Sequence, residues 1–520
     1  MEKVINNVVI VGGGSAGWLT AGLLAARHNM DQGQALANPR ITITLIESPD
    51  VATIGVGEGT WPSMRQTLAT LGISETAFLL ECDASFKQGS LFRGWRTGDV
   101  GRDRYLHPFT LPSGQPELNL SEHWLPFREQ VAFADAVCGQ TQPALTGLAP
   151  KTISTPEFHF HNNYGYHLDA GKFGQLLQAH CTNRLGVRYL PAHIDSVQSD
   201  AQGDIAAVVT RQHGPVKGDL FIDCSGARSL LLGQHLDVPL VEQHSVLFND
   251  RALAVQVPYE SEEDPIASCT VATANGAGWI WDIGLSSRRG VGAVYASAFS
   301  SEADAEQQLR TYLGLDQNAT LNARSLQFTP GYRAVCWKNN CMAIGMAAGF
   351  IEPLEASALA LIETMASAFA EQLPPTRATL PLIAQRMNHL HQQQWQQVIE
   401  FLKLHYVVSQ REDTPYWRAH RDASSIPSEL QEKLALWRHR APSDADISQK
   451  RPLFPAASYQ YVLYGMGFDT ANPVHIKPSQ QRKALTLFDE NRKRTHQLLR
   501  TLPDNRTLIN KVRQFGFQKI

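Results

Sequence analysis

At 520 residues the chain is too long for one core of ordinary size, so a large α/β body with a second, dependent layer is the simplest expectation. Hydrophobic residues make up 43% and charged residues 18%, with a net charge of −3; that is the balance of a soluble globular protein and gives no reason to expect nucleic acid or an acidic membrane surface as partner. The seven cysteines, at 82, 138, 181, 224, 269, 336 and 341, form no C-x-x-C pair, and an odd, dispersed set fits a reducing compartment better than a disulfide framework.

Met1–Asn7 is short and polar, unlike a signal peptide, and no apolar run is long enough to cross a bilayer, so a cytoplasmic protein with no membrane partner is expected. Val8–Val11 reads as a short buried strand. Gly12, Gly14 and Gly17 follow at G-x-G-x-x-G spacing, and Trp18–Arg27 reads as a helix. Strand, glycine turn and helix make a phosphate-binding unit: Gly12 permits the turn, Gly14 lets backbone approach a pyrophosphate, and Gly17 lets helix and strand pack closely. Gly13, Ser15 and Ala16 complete the turn, and the helix start offers N–H groups to the anion. A second strand, Ile41–Glu47, ends in an acid suited to ribose hydroxyls; the polar insertion 28–40 accounts for its distance from the glycines. Gly55–Thr60 is a second glycine cluster, in which Val56, Gly57 and Glu58 are candidate cofactor contacts.

Pro62 opens a helix that Gly72 stops, and Ser74–Lys87 reads as helical or partly so. Residues 94–165 are irregular and too long for a plain loop. Tyr166–Cys181 reads as helix with Asp169 as N-cap. Strands are expected near 187–190, 192–198, 205–211 and 218–223, the last running into a D-x-x-G turn at Asp223–Gly226. Alternating segments in 252–297 suggest an inserted antiparallel sheet, and a helix follows from Ala356 to Ala370. Beyond Pro374 the pattern is mainly helical, at 377–410 and 480–502. Tyr459–Gly467 is apolar enough to line a pocket or to be plain core, and both readings stay open.

An N-terminal glycine fingerprint, an acid ending strand two, a late D-x-x-G turn and an inserted sheet point to FAD rather than NAD. No second G-x-G-x-x-G offers a nicotinamide site, so the flavin is expected to arrive reduced or to be reduced by a partner. The H-x-H pairs, His159/His161 and His389/His391, lack a third ligand at zinc spacing, so no metal is expected.

Several stretches together resemble the flavin-dependent halogenases of the tryptophan-halogenase type. Gly278–Gly284, GWIWDIG, is similar to the W-x-W-x-I-P signature; GVGEGTWP, ASFKQGSLFRGW, GFIEPLEASAL, YHLDAGKFGQLL, LFIDCSGARSLL and HYVVSQREDTPYW extend the likeness over most of the chain. The resemblance implies an α/β fold: a glutathione-reductase-like FAD-binding domain with inserted sheet at 1–375, and a mainly helical substrate-covering region at 376–520. It implies a halogenase using reduced FAD from a separate reductase, dioxygen and a halide. Hypohalous acid made at the flavin is relayed to a lysine beside an electron-rich aromatic.

The lysine of the family motif is Lys87, whose ammonium can hydrogen-bond the oxidant or whose amine can carry the halogen. Taken alone, Lys87 reads as a surface lysine on a polar helix end. Glu355 matches the family glutamate and can hold that amine or accept the ring proton; alone, it reads as a carboxylate complementing a helix dipole. Ser357 and Ala358 offer backbone N–H groups to a halide. Trp279 and Trp281, two apart on a strand, share a face and either wall the flavin chamber or pack the sheet. Three departures stand out: Gly284 replaces proline, Ala356 replaces serine, and the paired tyrosines that hold free tryptophan are matched by Tyr459 and then Gln460. Indole or another small electron-rich aromatic, taking bromide or chloride, is therefore the expected substrate. A flavin-dependent aromatic hydroxylase and a non-catalytic flavin-binding protein are the alternatives. Oligomeric state is not readable from the sequence.

Overall fold

In a computed structural model, residues 4–50, 57–316, 318–449 and 451–519 are described. Two compact units are interleaved along the chain. One comprises Met1–Asp83, Leu168–Gln243 and Thr329–Trp395; the other comprises Ala84–His167, His244–Phe328 and Gln396–Ile520.

The first unit is built on a six-stranded sheet in the order Arg188–Pro191, Thr42–Glu47, Asn7–Val11, Leu220–Asp223, Cys341–Ala343, Trp337–Lys338. All neighbours are parallel except the last pair. Val8–Val11 and Leu220–Asp223 are wholly buried, as expected of central strands covered on both faces. Strand Asn7–Val11 leads through the glycine turn into helix Ser15–His28, which lies against helix Ser357–Glu371 and helix Ala170–Asn183. Asp169 caps the last of these, accepting from the N–H groups of Gly171 and Lys172.

The second unit holds a seven-stranded sheet in the order Arg324–Gln327, Arg251–Pro258, Arg288–Tyr295, Gly278–Gly284, Thr270–Ala274, Gly89–Arg93, Arg104–Pro108. It is antiparallel apart from the pair of Thr270–Ala274 with Gly89–Arg93. Helices Ala456–Gly465, Pro478–Thr501 and Asn505–Phe515 belong to this unit. Among the described residues no helix is long and apolar enough to cross a membrane.

Two helical expectations give way to strands. Only Glu75–Glu81 of the segment 74–87 is helical, and Ser85–Lys87 is a strand. Gly165–Asp169 is likewise a strand, ahead of the helix at Ala170. The two pair antiparallel, with Ser85 opposite His167, Phe86 opposite Tyr166 and Lys87 opposite Gly165. A pairing some eighty positions apart leaves no local periodicity in either segment.

Candidate active site

In the first unit the glycine turn has the shape of a pyrophosphate cradle. Gly12 has φ +112°, and a Cβ there would lie 2.1 Å from the Cys224 carbonyl oxygen. A Cβ on Gly17 would lie 1.9 Å from the Gly12 carbonyl oxygen, which is the close helix–strand approach in numbers. Gly14 faces open space, with no atom within 4 Å of a Cβ placed there. It is also the N-cap of helix Ser15–His28, and no side chain caps that helix start. Backbone donors and open room are what an anionic phosphate needs, so the residues present fit a dinucleotide. The Glu47 carboxyl lies over Gly13, within 2.4 Å of any Cβ there. Burial pushes that carboxyl up, against the hydrogen bonds it accepts from Tyr189 and Trp18.

Asp223 has another task. It is fully buried; one oxygen accepts from Ser225 N–H and hydroxyl, the other from the Leu231 and Leu232 N–H groups and the Ser229 hydroxyl. The carboxylate thus folds the loop that carries Gly226, itself at φ +72° with open space around it. Gly57 and Glu58 lie on strand Gly57–Gly59; burial, with Asp169 nearby, pushes the Glu58 carboxyl up to about 7. Val56 lies outside the described residues.

In the same unit, helix Ser357–Glu371 begins after two consecutive non-glycine residues in the left-handed region, Glu355 (φ +64°) and Ala356 (φ +53°). Such a conformation costs roughly 1–2 kcal/mol per residue, so the surroundings must hold it. The Trp61 indole N–H donates to the Glu355 carbonyl at 2.9 Å. Two hydroxyls of helix Ser63–Leu71, those of Ser63 and Thr67, donate to the two oxygens of buried Glu363. Burial pushes the Glu363 carboxyl up to about 7, against those two bonds. With Ala356 as N-cap, no side chain covers the helix start, which leaves Ser357 and Ala358 leading it. These two residues line a cavity of about 60 Å³, together with Met346, Pro353, Leu361 and Trp395. His391 also lines it; burial drops its imidazole to about 4, and it bonds the Arg333 carbonyl.

In the second unit Lys87 is wholly buried on its strand, not exposed at a helix end. Its Nζ stands 5.4 Å over the Phe109 ring. Ser85, on the same strand face, donates to the Gly284 carbonyl. A Cβ on Gly284 would meet Ile266 at 3.0 Å and the Tyr259 hydroxyl at 3.2 Å, which accounts for glycine where the signature has proline. His167 bonds the Thr270 hydroxyl at 2.8 Å; burial, then the Lys87 charge, holds its ring well below the usual range and therefore neutral.

A hub that no sequence pattern announces holds this corner together. Buried Gln140 accepts from the Thr110 N–H at 3.0 Å and donates to Gln88 at 3.1 Å and to the Asn163 carbonyl at 2.6 Å. Phe109 N–H donates to the Gln88 carbonyl, and Asn163 donates to the Phe109 carbonyl. Phe109 is thereby tied to the residue following Lys87.

Trp279 and Trp281 are buried on one strand, with ring centroids 6.4 Å apart. The Trp281 ring fills the space of a side chain missing at Gly292, 2.2 Å from an ideal Cβ. On helix Ala456–Gly465, Tyr459 points away from this corner: its hydroxyl donates to Glu400, whose two oxygens Lys433 also holds. Gln460 donates to the Pro442 carbonyl and to Asn119. Tyr461 and Ser458 face the segment 107–110 instead, bonding the Thr110 carbonyl and the His107 ring. Among the described residues no group of three or more metal-ligating side chains is assembled.

The first unit thus holds a dinucleotide cradle, and the second holds a sheet that buries a lysine over an aromatic ring. The profile of the tryptophan halogenase family matches residues 7–481, and the chain belongs to that family. It is 32% identical over 506 residues to tryptophan 6-halogenase SttH of Streptomyces toxytricini, covering 93% of this chain and 92% of that one. It is 30% identical over 534 residues to tryptophan 7-halogenase RebH of Lentzea aerocolonigenes, covering 97% and 98%. A solved tryptophan halogenase from Shewanella frigidimarina is 58% identical over the whole of both chains, with a TM-score of 0.99.

Proposed function

We propose that the chain installs bromide or chloride on indole or a similarly small electron-rich aromatic, with Lys87 delivering the halogen. The turn Gly12–Gly17, Glu47 and the strand Gly57–Gly59 would hold reduced FAD delivered by a separate reductase, which when bound would supply the two-electron activation of dioxygen that turns halide into hypohalous acid. Ser357 and Ala358 N–H groups hold the halide, at a helix start that Trp61 and Glu363 keep in shape. Lys87 takes up the oxidant: its ammonium hydrogen-bonds the hypohalous oxygen, or its amine carries the halogen. Confinement matters because hypohalous acid is indiscriminate in water, and a fixed donor over a fixed ring restricts attack to one orientation. Glu355 accepts the proton lost from the ring. Trp279 and Trp281 shield the oxidant's route from the organic substrate.

The observation that carries this reading is the complete burial of Lys87 over Phe109. A lysine is almost never fully buried unless its amine is paired, so this strand keeps a cationic group out of bulk water beside an aromatic ring. Preference for a substrate without an amino-acid head is supported by the Tyr459 hydroxyl and the Gln460 amide N–H groups, which are spent on partners inside the protein. The test is a mass spectrum after incubation with indole, bromide, FAD, dioxygen and an added flavin reductase. A monobrominated product, formed faster from indole than from free tryptophan, is expected. A hydroxylated product independent of halide would instead make the protein a monooxygenase.

A further inference from the structure

The cavity at Ser357 and Ala358 is walled in part by sulfur. Met346 and Met365 both line it, whereas none of the seven cysteines does. Thioethers are among the side chains most readily oxidised, so this wall faces the place where the proposed oxidant arises. The two methionines differ in access. Met365 is 6% exposed and Met346 is 39% exposed. The third oxidisable group, Trp395, is covered by Tyr332, stacked at 5.7 Å with 6° between the rings. Met346 also follows Gly345, where a Cβ would stand 2.7 Å from that of Ala16. It therefore sits where the cavity adjoins the glycine turn.

We infer that Met346 is a modification site, converted to the sulfoxide by hypohalous acid formed at Ser357 and Ala358 and not drawn off by an aromatic acceptor. The inference rests on the function proposed above. The sulfur lone pair takes the halogen, the oxygen–halogen bond breaks, and hydroxide leaves. Water then adds at sulfur, halide departs, and the two protons of that water are released, one of them neutralising the hydroxide. In net terms one thioether and one hypohalous acid give one sulfoxide, one proton and one halide ion. Sulfur loses two electrons and gains one oxygen, and the halogen returns to halide. A polar sulfoxide in this mainly apolar cavity disturbs packing, so the enzyme inactivates itself when it turns over without substrate. An aromatic acceptor protects it by consuming the oxidant.

The experiment runs the full chain with FAD, a flavin reductase, catalase and bromide, without and with indole, and maps methionine oxidation by peptide mass spectrometry. One added oxygen on the Met346 peptide is expected, several-fold more abundant without indole than with it, and absent when bromide is omitted. Met346→Leu, compared with its own initial rate, is expected to decay several-fold more slowly than the parent. Brominated indole with Met346 left unmodified would overturn this inference and leave the proposed function standing. Equal oxidation without bromide would also overturn it, since peroxide would then be the agent. Absence of any brominated indole would remove the proposed function and this inference together.

Discussion

Three glycines in one turn answer to three different demands, and substitution separates them. Gly17 has the Gly12 carbonyl where a side chain would go, whereas Gly14 has only open space. Gly17→Ala is therefore expected to lower the melting temperature by several degrees, because the helix must move off the strand. Gly14→Val leaves the melting temperature of the ligand-free protein nearly unchanged and weakens FAD binding by about tenfold or more, because it fills the pyrophosphate's place. Thermal denaturation and a flavin fluorescence titration check the pair; equal affinity in Gly14→Val would deny the turn its role. This turn is readable in the sequence because the constrained positions lie within six consecutive residues, even though the Gly12 limit is set by the distant Cys224 carbonyl. Lys87 is readable as a motif residue but not as a buried one. Its neighbours Cys82–Ala84 look like a polar helix end, whereas it lies on a strand paired with residues some eighty positions away and its amine stands over Phe109.

At the scale of elements, helix Ser63–Leu71 and helix Ser357–Glu371 are joined through Glu363. Burial raises that carboxyl from 4.5 to about 7 in the folded protein, so the folded state holds the proton more tightly than the unfolded chain does. The stability this contributes is present below pH 4.5 and is lost as pH rises through about 7. The span corresponds to something on the order of 3 kcal/mol. Glu363→Gln keeps one acceptor oxygen for the Ser63 and Thr67 hydroxyls, turns the other position into a donor that the second hydroxyl can accept from, and cannot ionise. Its denaturation midpoint is expected to fall less than the parent's between pH 5 and pH 8, with a residual slope from Glu58. Identical pH slopes in the two proteins would show that Glu363 does not carry the effect. The stretch 405–417, recognised only by likeness, also gains a physical account at this scale. Arg411 bonds Asp413 and the Gly94 carbonyl and stacks on Trp417, and Trp417 bonds the Asn275 carbonyl, so the stretch clasps two turns of the second unit. Gln140 has no comparable signal, since a lone glutamine acquires meaning only from the three segments it joins.

For the molecule as a whole, the nucleotide-binding strands and the inserted sheet are visible in the sequence as continuous and alternating apolar runs. The grouping of the described residues into two interleaved units is not. Contacts made across long sequence separations decide that grouping, and no local periodicity records them. In the proposed chemistry the first unit holds the cofactor and the halide, and the second holds the lysine that spends the oxidant. Everything turns on Lys87 being the donor, and Lys87→Met tests it most directly because the substitution fills much of the same buried volume without an amine. Purified Lys87→Met is expected to bind FAD as the parent does and to yield no detectable bromoindole with reductase and bromide, while hypohalous acid still escapes to a small-molecule trap. Bromoindole formed at the parent's rate and ring position would contradict that role.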